Sequence, residues 1–225
     1  MSHPQPIAED WPGATVFVVA GGPSVTAHLV DGSLDCLRGR NVVAVNSSMT
    51  TVARFAQVGF FADERWLKEY REGLRGFTGR LVTISNAAVT LRQVWRQRIG
   101  EQRHPNFVPP PLTFVRKVKA DVGISTNRVE VAMKWTSIQG ALNVAAHLGA
   151  VRIVLVGADM GRGAQGECHH HAPYPWPVKA GCWDLHIADL EKAARVAAMR
   201  GIEIVTTSPT GRLSFWPCKP LEACL

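Results

Sequence analysis

The feature that most restricts this chain is an alternation of short, uniformly apolar, largely β-branched runs with helix-length segments of periodic hydrophobicity. The runs cover 15–20, 41–46, 59–62, 80–84, 151–156 and 202–206. Helical periodicity is expected over 49–57, 64–73, 89–99, 137–148 and 183–200. A strand that is apolar at every position is buried on both faces, whereas a strand with one wet face alternates apolar with polar residues. Strand–helix–strand repetition of this kind predicts an α/β fold: a doubly wound, mostly parallel, Rossmann-like sheet with helices on both faces. Gly149 and Gly201 stand just past two of the helices, where a left-handed cap is wanted.

The length of 225 residues suits one well-buried core better than two independent domains. The organisation expected is a flexible lead-in over 1–12, a nucleotide-binding α/β domain over 13–217 and a tail over 218–225. Two stretches break the pattern. One is an insert over 100–131 that contains Pro109, Pro110 and Pro111; the other is a Gly- and Pro-rich loop over 161–181 with three consecutive histidines. Loops this long inside a compact domain are usually lids or binding loops.

No apolar run approaches the ~18 residues of a membrane span, and the first ten residues lack a basic-then-apolar leader, so a cytoplasmic protein without a membrane span is expected. The five cysteines are odd in number and form no Cys-x-x-Cys pair, which favours free thiols over a disulfide framework. A net charge of +7 points to an anionic ligand, whether nucleotide, nucleic acid or acidic glycan, or to a solvated basic face. The basic residues cluster over 92–103 and 116–119 with few aromatics, whereas a nucleic-acid groove interleaves the two.

The strongest local signal follows the first strand: Gly21, Gly22, Pro23 and Ser24. Glycines permit close approach of a ligand to the backbone, Pro23 suits the first turn of a helix, and Ser24 can cap it or contact phosphate. The turn has neither a dinucleotide fingerprint nor a Walker loop, and a tight turn without ligand is its plain alternative. The second strand ends at Asn46 and the third at Asp63 and Glu64, on the same carboxyl edge; each alone can be read as capping a helix. Lys134, Thr136 and Ser137 open the helix over 137–148, where a cap or an anion site is expected, and Asp159 follows the next strand as a hydroxyl or amide partner. Cys168, Cys182 and His186 have zinc-compatible chemistry without the spacing of a finger. A histidine lid over an anionic substrate, built from His169, His170 and His171, is favoured over zinc or a solvated run.

Read in order, the Gly-Gly-Pro-Ser turn, Asn46, Thr136-Ser137 with the helix through Leu148 and Gly149, and Gly157-x-Asp159-Met160 are similar to bacterial sialyltransferases of glycosyltransferase family 42. They also resemble the group containing archaeal 6-hydroxymethylpterin diphosphokinases, and phage proteins of the same core. The resemblance covers most of 16–213 apart from about 90–131, and its tail includes Asp189, Ser208 and Leu213. It implies a nucleotide-dependent group transferase with a CMP- or other nucleotide-sugar donor and no required cofactor. Donor contacts would fall to Gly21, Gly22, Ser24, Asn46, Thr136, Ser137 and Asp159, with Lys134 where the family has an arginine and Ile138 where it has a glycine. Its catalytic histidine falls in the interval holding His169, His170, His171 and His186, and an imidazole with a pKa near working pH suits a general base, with His171 and His186 favoured. The diphosphokinase alternative needs ATP and Mg²⁺, with Asp63, Glu64 and Asp159 as the visible carboxylates; the third is a non-catalytic nucleotide- or nucleic-acid-binding protein. The acceptor (small molecule, glycan or nucleic acid) and any homo-oligomer are left open.

Overall fold

The computed structural model describes residues 3–70, 72–85 and 110–225. The expected helix over 89–99, the basic cluster over 92–103 and the insert as far as 109 lie outside the described residues. The strands are β1 (Ala14–Val19), β2 (Asn41–Val45), β3 (Val58–Phe61), β4 (Arg80–Thr83), β5 (Leu112–Phe114), β6 (Arg116–Val118), β7 (Glu130–Ala132), β8 (Ala150–Val156) and β9 (Glu203–Thr206). Seven of them form one sheet in the order β5-β4-β3-β2-β1-β8-β9, and β6 pairs separately with β7. Each of these pairings is parallel.

The uniform apolarity of the strands has the cause expected of it. Val16 and Val18 of β1, with Ile153 and Leu155 of β8, join one core cluster, while Phe17, Val19, Val154 and Val156 join the other. Successive side chains of a strand point to opposite faces, so both faces must be covered. The first face is covered by two helices, Ser137–His147 and Cys182–Met199; the second by three short ones, Val25–Val30, Ser48–Thr51 and Glu64–Tyr70. In chain order these are α1 (Val25–Val30), α2 (Ser48–Thr51), α3 (Glu64–Tyr70), α4 (Ser137–His147) and α5 (Cys182–Met199). Gly149 and Gly201 both take positive φ, 101° and 68°. No helix among the described residues is long and apolar enough to cross a membrane.

Several expectations need correction. The helix over 49–57 shrinks to α2, because Thr50 turns its hydroxyl onto the Ser47 carbonyl (2.7 Å) and β-branched Thr51 and Val52 follow. Of the helix expected over 64–73, α3 covers Glu64–Tyr70, and a 3₁₀ turn covers Gly73–Gly76. The insert carries β5, β6 and β7, each three residues long and too short to show a period. The lead-in is tied down: Gln5 N–H donates to the Phe114 carbonyl (2.8 Å), Ile7 N–H to that of Arg128 (3.0 Å), and the Ile7 side chain is 1% exposed. The tail is likewise part of the domain, with Lys219 N–H on the Thr206 carbonyl (3.0 Å) and Leu221 and Cys224 in the core.

One buried side chain locks the β6–β7 segment to α4. Asn143 accepts from the Ser125 and Ala132 amides (2.8 and 3.1 Å) and donates to the carbonyls of Gly123, Ala132 and Gln139. Leaving buried amides and carbonyls unmet costs about 1–3 kcal/mol each. Asn143→Ala is therefore expected to lower unfolding stability by on the order of 3 kcal/mol, read from urea denaturation midpoints; a loss under ~1 kcal/mol would remove this role from Asn143.

Candidate functional site

From β1 the sheet grows one way through β2 and the other way through β8. Segments leaving the carboxyl ends of β1 and β8 therefore diverge, and such a switch point opens a crevice. A cleft of about 230 Å³ lies there. Its walls are Gly21 and Gly22 after β1, Asn46 after β2, and Gly157, Asp159 and Met160 after β8. Trp135, Thr136 and Ser137 come from the start of α4, Trp183 and His186 from α5, and Cys168, His169 and Tyr174 from the 161–181 loop.

The glycine turn is built around Asp159 rather than around an open anion site. Asp159 is 1% exposed; one carboxylate oxygen accepts from the Ser24 amide (2.7 Å) and the other from the Ser208 hydroxyl. Gly22 N–H donates to the Gly157 carbonyl (2.8 Å). A Cβ on Gly22 would stand 2.4 Å from both that carbonyl oxygen and an Asp159 carboxylate oxygen. The Gly22 and Ser24 amides are thus engaged, and Gly22 is required by the contact between β1 and β8. Asp159 is a tie between three strand ends, with an amide and a hydroxyl as its partners, and it also lines the cleft.

Asn46 is where the site shows strain and an unmet group. Among the described residues, the non-glycine positions with positive φ are Asn46 (51°) and Met160 (50°), and both line the cleft. Left-handed backbone is costly outside glycine and persists where the surroundings fix it. The Asn46 amide nitrogen lies 3.5 Å from the Ser137 hydroxyl, while its Oδ1 is buried with no partner. Thr136 caps α4 by accepting from the Ile138 amide (3.2 Å). Asp189, 1% exposed on α5, accepts from the Trp135 amide (2.7 Å), joining the two helices that wall the cleft.

Other expected site residues fall elsewhere. Pro23 is buried behind the turn and Ser24 keeps its hydroxyl inside the protein without a partner; neither lines the cleft. Asp63 turns back on Arg65, accepting from its amide (2.8 Å) and guanidinium (3.2 Å). Glu64 accepts from the Ser85 hydroxyl (3.3 Å). Lys134 points its ammonium at the Trp135 ring, 5.0 Å from the centroid, and is not a cleft residue. Asp63 and Glu64 are thus engaged by neighbouring side chains, while Asp159 lines the cleft. Among the described residues no three His, Cys, Asp or Glu side chains form a group that could hold a metal ion.

The loop over 161–181 has no helix or strand and closes over the cleft through its histidines. His170 N–H donates to the Gly21 carbonyl (3.1 Å), and its Nε2 meets the Thr51 hydroxyl (2.9 Å). His169 and His171 stack at 4.9 Å with rings 4° from parallel, and a Cβ on Gly21 would meet His169 Nδ1 and His171 Nε2 at 3.6 Å each. His171 Nδ1 sits 2.8 Å from the Ala172 carbonyl, so it donates and leaves Nε2 with a lone pair that is buried without a partner. Of the four histidines, His169 and His186 line the cleft; His170 is a latch, and His171 lies against His169. Sequence reasoning gave no role to Trp135, Tyr174 or Trp183, and only the position of Trp135 inside the helix-start motif marked it.

Burial, reinforced by the neighbouring His171, lowers the His169 pKa to about 4, and the same causes bring His170 to about 4. Burial lowers His171 and His186 as well, opposed at His186 by Asp189. Tyr174, whose hydroxyl lies 3.3 Å from the Ser47 hydroxyl, is pushed up to about 12 by burial. The closed loop thus holds neutral imidazoles at neutral pH.

No protein-family model matches the chain, and a search of the curated proteins finds no match.

Two outcomes follow from this geometry. Gly22→Ala is expected to lower the melting temperature of the ligand-free protein by several degrees, because the new methyl must displace backbone; an unchanged melting curve would show that the β1–β8 contact yields. The second concerns pH. The folded pKa values of His169 and His170 lie below the unfolded 6.5, so unfolded chain takes up protons first as pH falls. Their contribution is fully present above 6.5 and is lost progressively down to about 4. Melting temperature should fall over that window, and less steeply in His170→Gln.

Proposed function

We propose that this protein is a nucleotide-dependent group transferase, in its simplest form a glycosyltransferase that uses a CMP- or other nucleotide-sugar donor and a histidine general base. The observation that carries the reading is the coincidence, in one switch-point cleft, of left-handed Asn46 and Met160, the unpartnered Asn46 Oδ1 and two burial-neutralised imidazoles, His169 and His186. The motif order similar to family 42 glycosyltransferases, and free thiols in keeping with a cytoplasmic setting, agree with it.

The donor phosphate is held at the start of α4, an 11-residue helix whose N-terminus carries partial positive charge, beside the Ser137 hydroxyl. Asn46 Oδ1 accepts from the donor's base or sugar. His186, fixed on α5 rather than on a loop, takes the proton of an acceptor hydroxyl as that oxygen bonds to the donor's anomeric carbon. The bond from that carbon to the phosphate oxygen breaks, and the nucleotide leaves with the electron pair, stabilised by the α4 terminus. His169 and Tyr174 close the cleft against water.

A base must be neutral to act, so activity is full above its folded pKa and is lost as pH falls through it. Since burial lowers His186, the acid limb of kcat is expected below the ordinary value of 6.5. Turnover should persist in EDTA. His186→Ala should cost roughly 10²–10⁴-fold in kcat with little change in donor KM, while His171→Ala costs far less. If His186→Ala keeps wild-type turnover and its acid limb, histidine base catalysis from α5 is wrong.

A further inference from the structure

Three tryptophans at and beside the cleft are each paired with a cation. Lys134 Nζ lies 5.0 Å from the centroid of Trp135, the Arg162 guanidinium carbon 5.8 Å from Trp183, and that of Arg65 5.1 Å from Trp176. In sequence these cations look unrelated, and the basic clusters over 92–103 and 116–119 contribute none of them. In the fold they follow one path. Trp135 and Trp183 line the cleft, and a second cavity of about 520 Å³, bounded by Arg162 and Trp176, shares Cys168, His169 and Tyr174 with it.

The planes on this path are held in place. Trp176 stacks on Tyr174 (5.1 Å, 8°), which meets Tyr70 edge-on, and Tyr70 stacks on the buried Trp66. One face of Trp176 is covered by Tyr174, so the Arg65 guanidinium, on a side chain 66% exposed, is the outermost plane at that end. Trp135, at the other end, is 47% exposed. The nearby carboxylates are engaged: Asp63 with Arg65, Asp184 with Arg212, Asp121 with Lys192, and Glu167 accepting from the Gln165 amide.

Alternating π-planes and fixed cations match one ligand chemistry. A single strand of nucleic acid offers unpaired base faces to aromatic rings or guanidinium planes and a phosphodiester to the cations, whereas a duplex keeps its base faces stacked inside. We propose that the groove running from Trp135 past the histidine loop to Trp176 and Arg65 binds single-stranded nucleic acid, with the strand's end directed into the cleft. Only this last clause rests on the transferase reading, where it makes the strand the acceptor.

The test is fluorescence anisotropy of a labelled twelve-residue oligothymidylate at low salt, with the same-length duplex and a neutral oligosaccharide as comparisons. The oligothymidylate should bind more tightly than the duplex, with affinity falling as salt rises. Trp135→Ala, whose exposed ring can be removed without opening the core, should weaken it roughly 5- to 150-fold, the loss of one base stack. Lys134→Ala should reduce the salt slope by about one. Equal binding of strand and duplex, or wild-type affinity in Trp135→Ala, overturns the inference, as does Trp135-dependent binding of the oligosaccharide in place of the strand. Thermal protection by nucleotide without oligonucleotide binding sinks this inference alone. Trp135-dependent strand binding without nucleotide protection sinks the donor reading and leaves this one standing.

Discussion

The Asp159 carboxylate holds together the part of the molecule on which the rest depends. It accepts from the Ser24 amide after β1 and from the Ser208 hydroxyl after β9, while standing at the end of β8 itself. Burying a carboxylate at 1% exposure is tolerable only with such partners. Because it draws three strand ends together, Gly22 lies against Gly157, beside the crevice. Asp189 performs the corresponding task across the cleft, where its hold on the Trp135 amide sets α4 against α5.

These two ties change where an anion is best received. A Gly-rich turn at a strand end suggests backbone amides facing a phosphate, yet here the amides of Gly22 and Ser24 already have acceptors. The start of α4 faces the same cleft through Ser137 and Ile138. The positive end of a regular helix and the Ser137 hydroxyl make that wall the better receiver.

The histidine loop is held by packing that runs deep. Ser47 accepts from the Trp66 indole (2.9 Å) and lies 3.3 Å from the Tyr174 hydroxyl, so the loop is tied by way of Tyr174 to a core tryptophan. Its histidines are dry enough to be neutral, and one of them, His170, clips onto Gly21 and Thr51. A loop secured by aromatic edges and a few hydrogen bonds, without helix or strand, is suited to opening as a unit.

The amino-acid sequence by itself determined the parallel sheet and its two helical layers, because uniformly apolar strands admit burial on both faces and little else. It also located the edge on which the site lies, since Gly21, Asn46, Ser137 and Asp159 follow strands or start a helix on that edge. It did not reveal β5, β6 and β7, three residues each, or the anchoring of Ile7, because those depend on partners more than a hundred residues away in part. Tertiary structure alone decided the roles. Asp63, Lys134 and Asp159 are all polar groups near strand or helix ends, and nothing local distinguishes a residue that caps, one that covers a ring and one that ties strands. The pairing of Arg65 with Trp176 and of Arg162 with Trp183 was likewise invisible, since hydrophobic periodicity reports which face a side chain takes and not which distant side chain it meets there.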